Sequence, residues 1–296
     1  MAVKYKLRFS ENSIARETVL APLYSRAQCS RQKLIRDPDA EEVLGRLLYD
    51  DGELDLTGRE QILLALRGEA VDRWLCAFLQ ENPRARVINL GCGLDSRCRR
   101  IQAAAQEWYD LDFPDVIGLR SRFFREDRRY RMIGAPLSDW SWLEDLPVQG
   151  ELQTVIVAEG FFCRMPQERA SELVMRLGER YPGAYLLLGF CSRRLAEEAE
   201  RMEMQRRVGS YPFWGADTRE ELEALAPGLR CQKMLRVISQ AQLQKLSLLQ
   251  RVQFRLLDGS GETALRAAVC RLPGGNPPEQ TPEEPKTDAE KKPPLP

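Results

Sequence analysis

A short apolar segment that runs into two closely spaced glycines is the feature of this sequence that most restricts its fold. Residues 87–90 read Val-Ile-Asn-Leu, and Gly91 and Gly93 follow with one residue between them. Glycine adopts backbone angles that other residues avoid and lets the backbone approach a ligand closely. Asp112 ends the next strand-like segment, 19 positions after Gly93. A carboxylate there is placed to accept hydrogen bonds from a ribose, so the pattern indicates an open α/β sheet with an adenosine site.

Strand-like and helix-like segments alternate through the middle of the chain. Apolar runs predict strands at residues 86–90, 107–111, 130–133, 154–158 and 184–190, with helical patterns near 97–105, 116–126 and 167–180. This alternation favours an α/β fold with a doubly wound, mainly parallel sheet. Later segments predict helices at 195–208 and 217–225 and strands at 232–238, 252–257 and 264–272, which would finish the sheet as an antiparallel edge.

The two ends of the chain differ from this middle part. Residues 12–80 carry apolar positions at helical spacing, whereas the chain from residue 274 is rich in Pro, Glu and Lys without an apolar period. We therefore predict an N-terminal helical lid (1–82), a Rossmann-like core (83–273) and a disordered tail (274–296).

Composition narrows the classes of partner. Lys and Arg number 44 and Asp and Glu number 44, so no global basic field attracts nucleic acid. No apolar run approaches the roughly 20 residues that span a bilayer, and no apolar core follows the basic N-terminus as in a signal peptide. The eight cysteines are scattered without a C-x-x-C pair, which predicts reduced thiols in a cytoplasmic protein.

The chain contains no histidine. This excludes Ser-His and Cys-His nucleophile pairs and His-based metal sites, and we expect no metal. It also removes the commonest general base near neutral pH. Any chemistry must therefore use carboxylates, tyrosines, lysines, arginines or the charge of the substrate.

The residue at position 96 helps to separate two kinds of cofactor. A dinucleotide fingerprint needs a third glycine near this position to admit a pyrophosphate, and the chain has Ser96. Its absence favours a ligand without a pyrophosphate, such as S-adenosyl-L-methionine.

At this point the chain resembles the leucine carboxyl methyltransferase family, which includes polyketide O-methyltransferases. Residues 89–97 (NLGCGLDSR) are similar to the family's NLGxGLDTR block, and residues 109–117 (YDLDFPDVI) to its next block. Shorter similarities lie at 22–27, 36–38, 67–72, 141–143 and 158–160. The resemblance implies a class I S-adenosyl-L-methionine-dependent methyltransferase with a Rossmann-like, seven-stranded sheet.

The resemblance also implies cofactor-binding roles. The residues concerned are Arg67, Gly91, Gly93, Asp112, Asp139 and Glu159. The two glycines would pass under the methionine part of the cofactor, and Asp112 would hold the ribose. Asp139 would lie near the adenine, and Arg67 would grip the carboxylate. Glu159 would end its strand facing the cofactor.

The resemblance implies two further residues near the acceptor. Arg26 falls where the family has a basic residue close to the cofactor tail and substrate. Arg164 takes the place of tyrosine in the family's EGxxxYxP segment, and its planar guanidinium suits a carboxylate. Apart from the resemblance, Tyr24, Asp110 and Glu159 are candidates to assist the deprotonation of a hydroxyl acceptor.

The reaction predicted is O-methylation of a small molecule, at a carboxylate or a hydroxyl. A carboxylate is ionised near neutral pH and needs no base, whereas a phenol does, so the lack of histidine favours the carboxylate. Two other functions remain open at this point: a cofactor-binding protein without catalysis, and a NAD-dependent oxidoreductase, against which Ser96 argues. Purely structural roles also remain open, with Asp112 as a helix cap and Arg67 on a solvated helix face.

Overall fold

A seven-stranded sheet forms the centre of the molecule. The computed structural model describes residues 4–6, 13–49, 54, 56–101, 105–136, 140–148, 150–201, 214–257 and 264–274. The strands of this sheet are β3 (Arg86–Leu90), β4 (Glu107–Asp112), β5 (Tyr130–Gly134), β6 (Thr154–Glu159), β7 (Tyr185–Cys191), β8 (Arg230–Leu235) and β9 (Leu265–Arg271). Their order is β5-β4-β3-β6-β7-β9-β8, and only β9 pairs antiparallel, with β7 on one side and β8 on the other. The predicted fold class is confirmed.

Both faces of the central strands are covered, which explains their continuous apolar sequences. Every residue of β3 and β7 is buried. Successive side chains point to opposite faces, so Val87 joins the core cluster on one face and Ile88 the cluster on the other. Trp74 and Phe78 pack on the first face together with Tyr185, to which their rings lie 5.4 and 5.0 Å away between centroids.

Helices lie on both sides of the sheet. Their bounds are α1 (Ser13–Arg31), α2 (Pro38–Gly45), α3 (Gly58–Glu81), α4 (Arg97–Arg100), α5 (Pro114–Arg120), α6 (Trp142–Asp145), α7 (Gln167–Arg180), α8 (Arg193–Arg201), α9 (Arg219–Glu223), α10 (Gln240–Lys245) and α11 (Leu248–Leu257). A small parallel pair, β1 (Tyr5–Lys6) and β2 (Leu47–Leu48), lies beside the N-terminal helices. Helix α3 begins with a capping box in which Thr57 and Glu60 bond each other's backbone N–H groups.

The predicted strand at residues 252–257 is wrong, because this segment belongs to helix α11. The side chain of Ser247 accepts a hydrogen bond from the backbone N–H of Gln250, and the side chain of Gln250 accepts one from the N–H of Ser247. This reciprocal pair begins a helix, and it outweighs the strand preference of the apolar residues that follow. Phe254 is buried in a core cluster that also contains residues of α1 and α3.

Some other predicted boundaries also differ. The helices predicted at 97–105 and 116–126 end at Arg100 and Arg120. The predicted tail lies outside the described residues from position 275 onward. Among the helices that the structure describes, none combines the length and the hydropathy needed to cross a bilayer.

The buried centre of the sheet predicts a large difference between two Leu→Ala substitutions. Leu187 in β7 is fully buried, whereas Leu249 in α11 is 69% exposed. We expect Leu187→Ala to lower the free energy of unfolding by about 2–5 kcal/mol because it leaves a cavity. Leu249→Ala should change it by less than about 0.5 kcal/mol. Urea unfolding followed by circular dichroism measures both, and equal losses would contradict the packing described here.

Candidate active site

A cavity of about 360 Å³ opens at the carboxyl ends of the parallel strands. It lies beside β3, where the strand order reverses: the chain continues from β3 to β4 and β5 on one side and later to β6 and β7 on the other. Open α/β sheets bind ligands at this switch point. Its walls come from the turn after β3, the end of β4, the loop after β6, and helices α1 and α3.

The glycine turn and Asp112 meet in this cavity, as the sequence predicted. Gly91 and Gly93 have φ angles of 65° and 51°, in the left-handed region that favours glycine. The backbone N–H of Gly93 donates to Oδ2 of Asp112 at 2.7 Å, and the N–H of Phe113 donates to Oδ1 at 2.8 Å. The N-cap residue of helix α5 is Phe113, and among the described residues no side-chain hydrogen bond caps this end, so Asp112 is not its N-cap residue.

The carboxyl group of Asp112 is buried in the wall of this cavity. Its burial raises the pKa to about 6, against the two backbone hydrogen bonds and Arg120, which lower it. A carboxylate can accept about four hydrogen bonds, and the described structure gives Asp112 two, from the N–H groups of Gly93 and Phe113.

Arg67 and Glu159 form an ion pair in the lining of the cavity. Nε of Arg67 donates to Oε1 of Glu159 at 3.3 Å, and Arg97 donates through Nη2 to Oε2 of Glu159 at 2.6 Å. Within the described part of the chain, no hydrogen bond engages the two Nη atoms of Arg67. A Cβ at Gly160 would come within 3.1 Å of one of them, so the glycine leaves room for the guanidinium. Arg67 is buried rather than part of a solvated helix face.

Arg26 also lines the cavity, but carboxylates surround its guanidinium. Nε of Arg26 donates to Asp37 at 2.6 Å, and Nη2 lies 3.5 Å from Asp72 and 3.7 Å from Glu69. This Nη2 atom is buried without a hydrogen bond. The side chain is thus held in place by the protein, with one donor still to satisfy.

Arg97 is the centre of a charge network that sequence reasoning did not single out. Besides Glu159, it contacts Asp72 at 2.6 Å and Asp95 at 2.7 Å, and Arg100 pairs with the same two aspartates. Burial opposes the ionisation of Asp72, but Arg100 and Arg97 outweigh it and lower its pKa to about 2. Arg97 and Asp95 both stand in the family-like block at 89–97, whereas the other two partners, Asp72 and Glu159, lie far away in sequence.

The loop after β6 forms another part of the cavity wall. Phe161, Arg164 and Met165 line it, and Arg164 lies on a 3₁₀ turn (Phe162–Arg164). Trp214 fixes this turn by donating from its indole N–H to the carbonyl of Phe162 at 3.2 Å.

Two of the predicted site residues are not among those placed at the cavity. The ring of Tyr24 packs edge-to-face on Tyr49 at 6.0 Å, and Tyr24 does not belong to the described cavity lining. Asp139 lies outside the described residues. A further candidate for proton transfer, Asp110, is fully buried and bonded to Arg120 and to the hydroxyl of Tyr130.

Comparisons with known proteins agree with this geometry. Residues 7–178 match the family described as leucine carboxyl methyltransferase. The chain is 34% identical over 220 residues to the tetracenomycin polyketide synthesis O-methyltransferase TcmP of Streptomyces glaucescens, across 73% of this chain and 81% of that protein. It is 26% identical over 255 residues to the S-adenosyl-L-methionine-dependent methyltransferase dpfgK of Gibberella zeae, across 76% of this chain and 83% of that protein.

A solved structure adds evidence on the fold alone. A DUF574 family protein from Streptomyces avermitilis has a TM-score of 0.57 and 17% sequence identity. The match covers 84% of this chain and 97% of that chain.

The charge network predicts different costs for two Arg→Met substitutions. Arg97→Met would leave the buried Asp72 and the partly buried Asp95 and Glu159 without their shared partner, and we expect a loss of about 3–5 kcal/mol in the free energy of unfolding at neutral pH. Arg194 pairs with Glu198 on the surface, so Arg194→Met should cost less than about 1 kcal/mol. Denaturant unfolding measures both, and similar losses would show that the network is not a stabilising unit.

Proposed function

The chain belongs to the leucine carboxyl methyltransferase family, and on this basis we propose that it methylates a carboxylate of a small molecule. Its cofactor is S-adenosyl-L-methionine, as the sequence predicted, and it is a methyltransferase. The observation that carries the proposed acceptor is Arg164, which lies in the wall of the cavity that also contains Asp112 and Arg67. The chain contains no histidine to act as a general base, and a carboxylate acceptor does not need one.

The residues of the cavity fit this cofactor. The buried carboxylate of Asp112 has two N–H donors and a raised pKa, and two ribose hydroxyls would supply the missing donors. The Nη atoms of Arg67 offer two parallel donors for the α-carboxylate. Arg26 lies near the same pair, because a Cβ placed on Gly68 would come within 2.7 Å of its Nη1 atom and 3.3 Å of Oε1 of Glu159. Gly91 and Gly93 let the backbone come close to the part of the ligand between these ends.

The proposed mechanism needs no proton transfer from the protein. When bound, the cofactor supplies an electrophilic methyl group on a sulfonium. Arg164 orients the acceptor carboxylate, which is ionised near neutral pH and attacks without a base. Methyl transfer turns one positive and one negative charge into two neutral products. Apolar side chains at the cavity, such as Leu23, Leu64 and Met165, solvate separated charges poorly and favour this neutralisation.

The surroundings of the carboxylates support a carboxylate acceptor over a hydroxyl. A hydroxyl would need a base, and Glu159 is occupied by Arg67 and Arg97. Asp110 is sealed in the core, and Tyr24 packs on Tyr49. A substrate that brings its own negative charge makes these groups unnecessary.

The N-terminal helices contribute part of the cavity wall. Thr18, Val19 and Leu23 of α1 and Leu64 of α3 line the cavity together with the loop after β6. We assign residues 1–82 the role of a lid that excludes water from a core at 83–273. All eight cysteines are free thiols, which supports a cytoplasmic location.

Cofactor binding should depend on pH through Asp112. Because burial raises the pKa of this carboxyl to about 6, it gains a proton as the pH falls below that value and loses an acceptor for the ribose. We expect affinity for S-adenosylhomocysteine to fall by up to about tenfold per pH unit below pH 6. Calorimetric titration measures this dependence. Asp112→Asn should bind S-adenosylhomocysteine weakly, and its affinity should not depend on pH. A wild-type affinity that stays constant from about pH 5 to 8 would contradict the role of Asp112 in binding the ribose.

The acceptor can be tested with pairs of compounds. We expect aromatic carboxylic acids of polyketide type to yield S-adenosylhomocysteine, and the matching alcohols to yield little, because only the acids carry the charge that Arg164 recognises. Arg164→Gln should lower kcat/KM for the acids by roughly 10- to 150-fold, the value of a charge-assisted hydrogen bond. Arg164→Lys should keep part of the activity.

The control is cofactor affinity, which Arg164→Gln should leave unchanged. Equal turnover of acids and alcohols would contradict a carboxylate acceptor. Cofactor binding without turnover of any compound would favour a binding protein without catalysis.

A further inference from the structure

Phe161 occupies a particular position in the cavity. The nearest carbon of its ring lies 2.8 Å from the point where a Cβ on Gly91 would be, so the ring packs directly against the glycine turn. The ring also makes an edge-to-face contact with Phe162, with centroids 5.9 Å apart and an angle of 82°. Phe162 is fully buried. Contacts on two sides therefore fix the Phe161 ring in the cavity wall.

The ring lies between the two ends of the proposed cofactor track. Gly91 on one side of it donates its N–H to the carbonyl of Leu111, next to Asp112. Gly160 on the other side is in contact range of the Arg67 guanidinium. In S-adenosyl-L-methionine the sulfur is bonded between the ribose carbon chain and the amino-acid tail. If Asp112 holds the ribose and Arg67 the carboxylate, the sulfonium passes Phe161.

The formal charges of the cavity do not by themselves select a cation. Among the described residues that line it, arginines and carboxylates are equal in number: Arg26, Arg67, Arg97 and Arg164, and Asp37, Asp95, Asp112 and Glu159. Glu159 also neutralises Arg67. An aromatic face carries negative potential and attracts a cation within about 6 Å.

We propose that Phe161 distinguishes the charged cofactor from the neutral product through a cation–π contact with the sulfonium. This inference rests on the cofactor positions given under the proposed function. In the transfer the carbon–sulfur bond breaks, sulfur keeps the electron pair, and the acceptor oxygen bonds the methyl carbon. The cation at the ring is thereby lost, so S-adenosylhomocysteine binds this wall more weakly and leaves more readily.

The test compares two ligands in two matched Phe→Leu variants. Phe161→Leu removes the aromatic face and keeps an apolar side chain. Phe113→Leu does the same at the Asp112 end, where Phe113 also lines the cavity. Calorimetric titration gives Kd for S-adenosyl-L-methionine and for S-adenosylhomocysteine with each protein.

We expect Phe161→Leu to weaken binding of S-adenosyl-L-methionine by about 2- to 30-fold while Kd for S-adenosylhomocysteine stays nearly constant. Binding of the neutral ligand then shows that the variant is folded. Phe113→Leu should change both constants by the same factor, and Phe161→Tyr should keep the wild-type ratio.

Other outcomes separate the two proposals. Equal losses for both ligands in Phe161→Leu, or no loss, would overturn the cation–π contact and leave the proposed function intact. A wild-type protein that binds neither ligand would overturn the cofactor positions as well.

Discussion

The buried ion pairs around Arg97 hold the candidate site together. Arg97 joins α4 to Asp72 on α3 and to Glu159 at the end of β6, three segments that are distant in sequence. Removing charges from water is costly, and an apolar cluster of similar volume would often be at least as stable. These pairs therefore serve mainly to fix orientation, because each carboxylate must face the guanidinium that donates to it. This fixes the N-terminal helices against the mouth of the cavity, where Arg67 and Arg26 must face inward.

Asp112 illustrates a different balance between stability and ligand binding. Its pKa is raised by burial, so its ionised form is disfavoured in the protein without ligand. A group of this kind lowers stability as the pH rises from about 4 to about 6, because over that range the folded state holds a proton that the unfolded state releases. At neutral pH the group is ionised in both states and the whole loss of stability is present. A ligand that donates hydrogen bonds to this carboxylate offsets the free energy lost by its burial. The site is therefore more selective for a diol than a carboxylate with all its hydrogen bonds already made.

Local patterns predicted much of the fold and part of the site. The parallel strands, the glycine turn and Asp112 lie within one βαβ unit, so their relation follows from neighbouring residues. The strand predicted at 252–257 is wrong because the prediction followed the apolar content of the segment, whereas the Ser247–Gln250 capping pair begins a helix there. The pairing of Arg97 with Asp72 and Glu159, the carboxylates around Arg26 and the contact of Tyr24 with Tyr49 depend on tertiary packing. No spacing in the sequence indicates them.

The order of the sheet has a consequence for the way this protein is made. β9 (Leu265–Arg271) follows β8 in the chain but lies between β7 and β8. Before β9 leaves the ribosome, β7 and β8 both lack the strand that lies between them. The strands β3 to β6, which form the cavity, are already synthesised by then. The nascent chain can thus build its ligand-binding half first, but it closes its last hydrogen-bonded ladder only after the C-terminal strand emerges. Until then β7 presents an unpaired apolar edge, which is the kind of edge that promotes association with other chains.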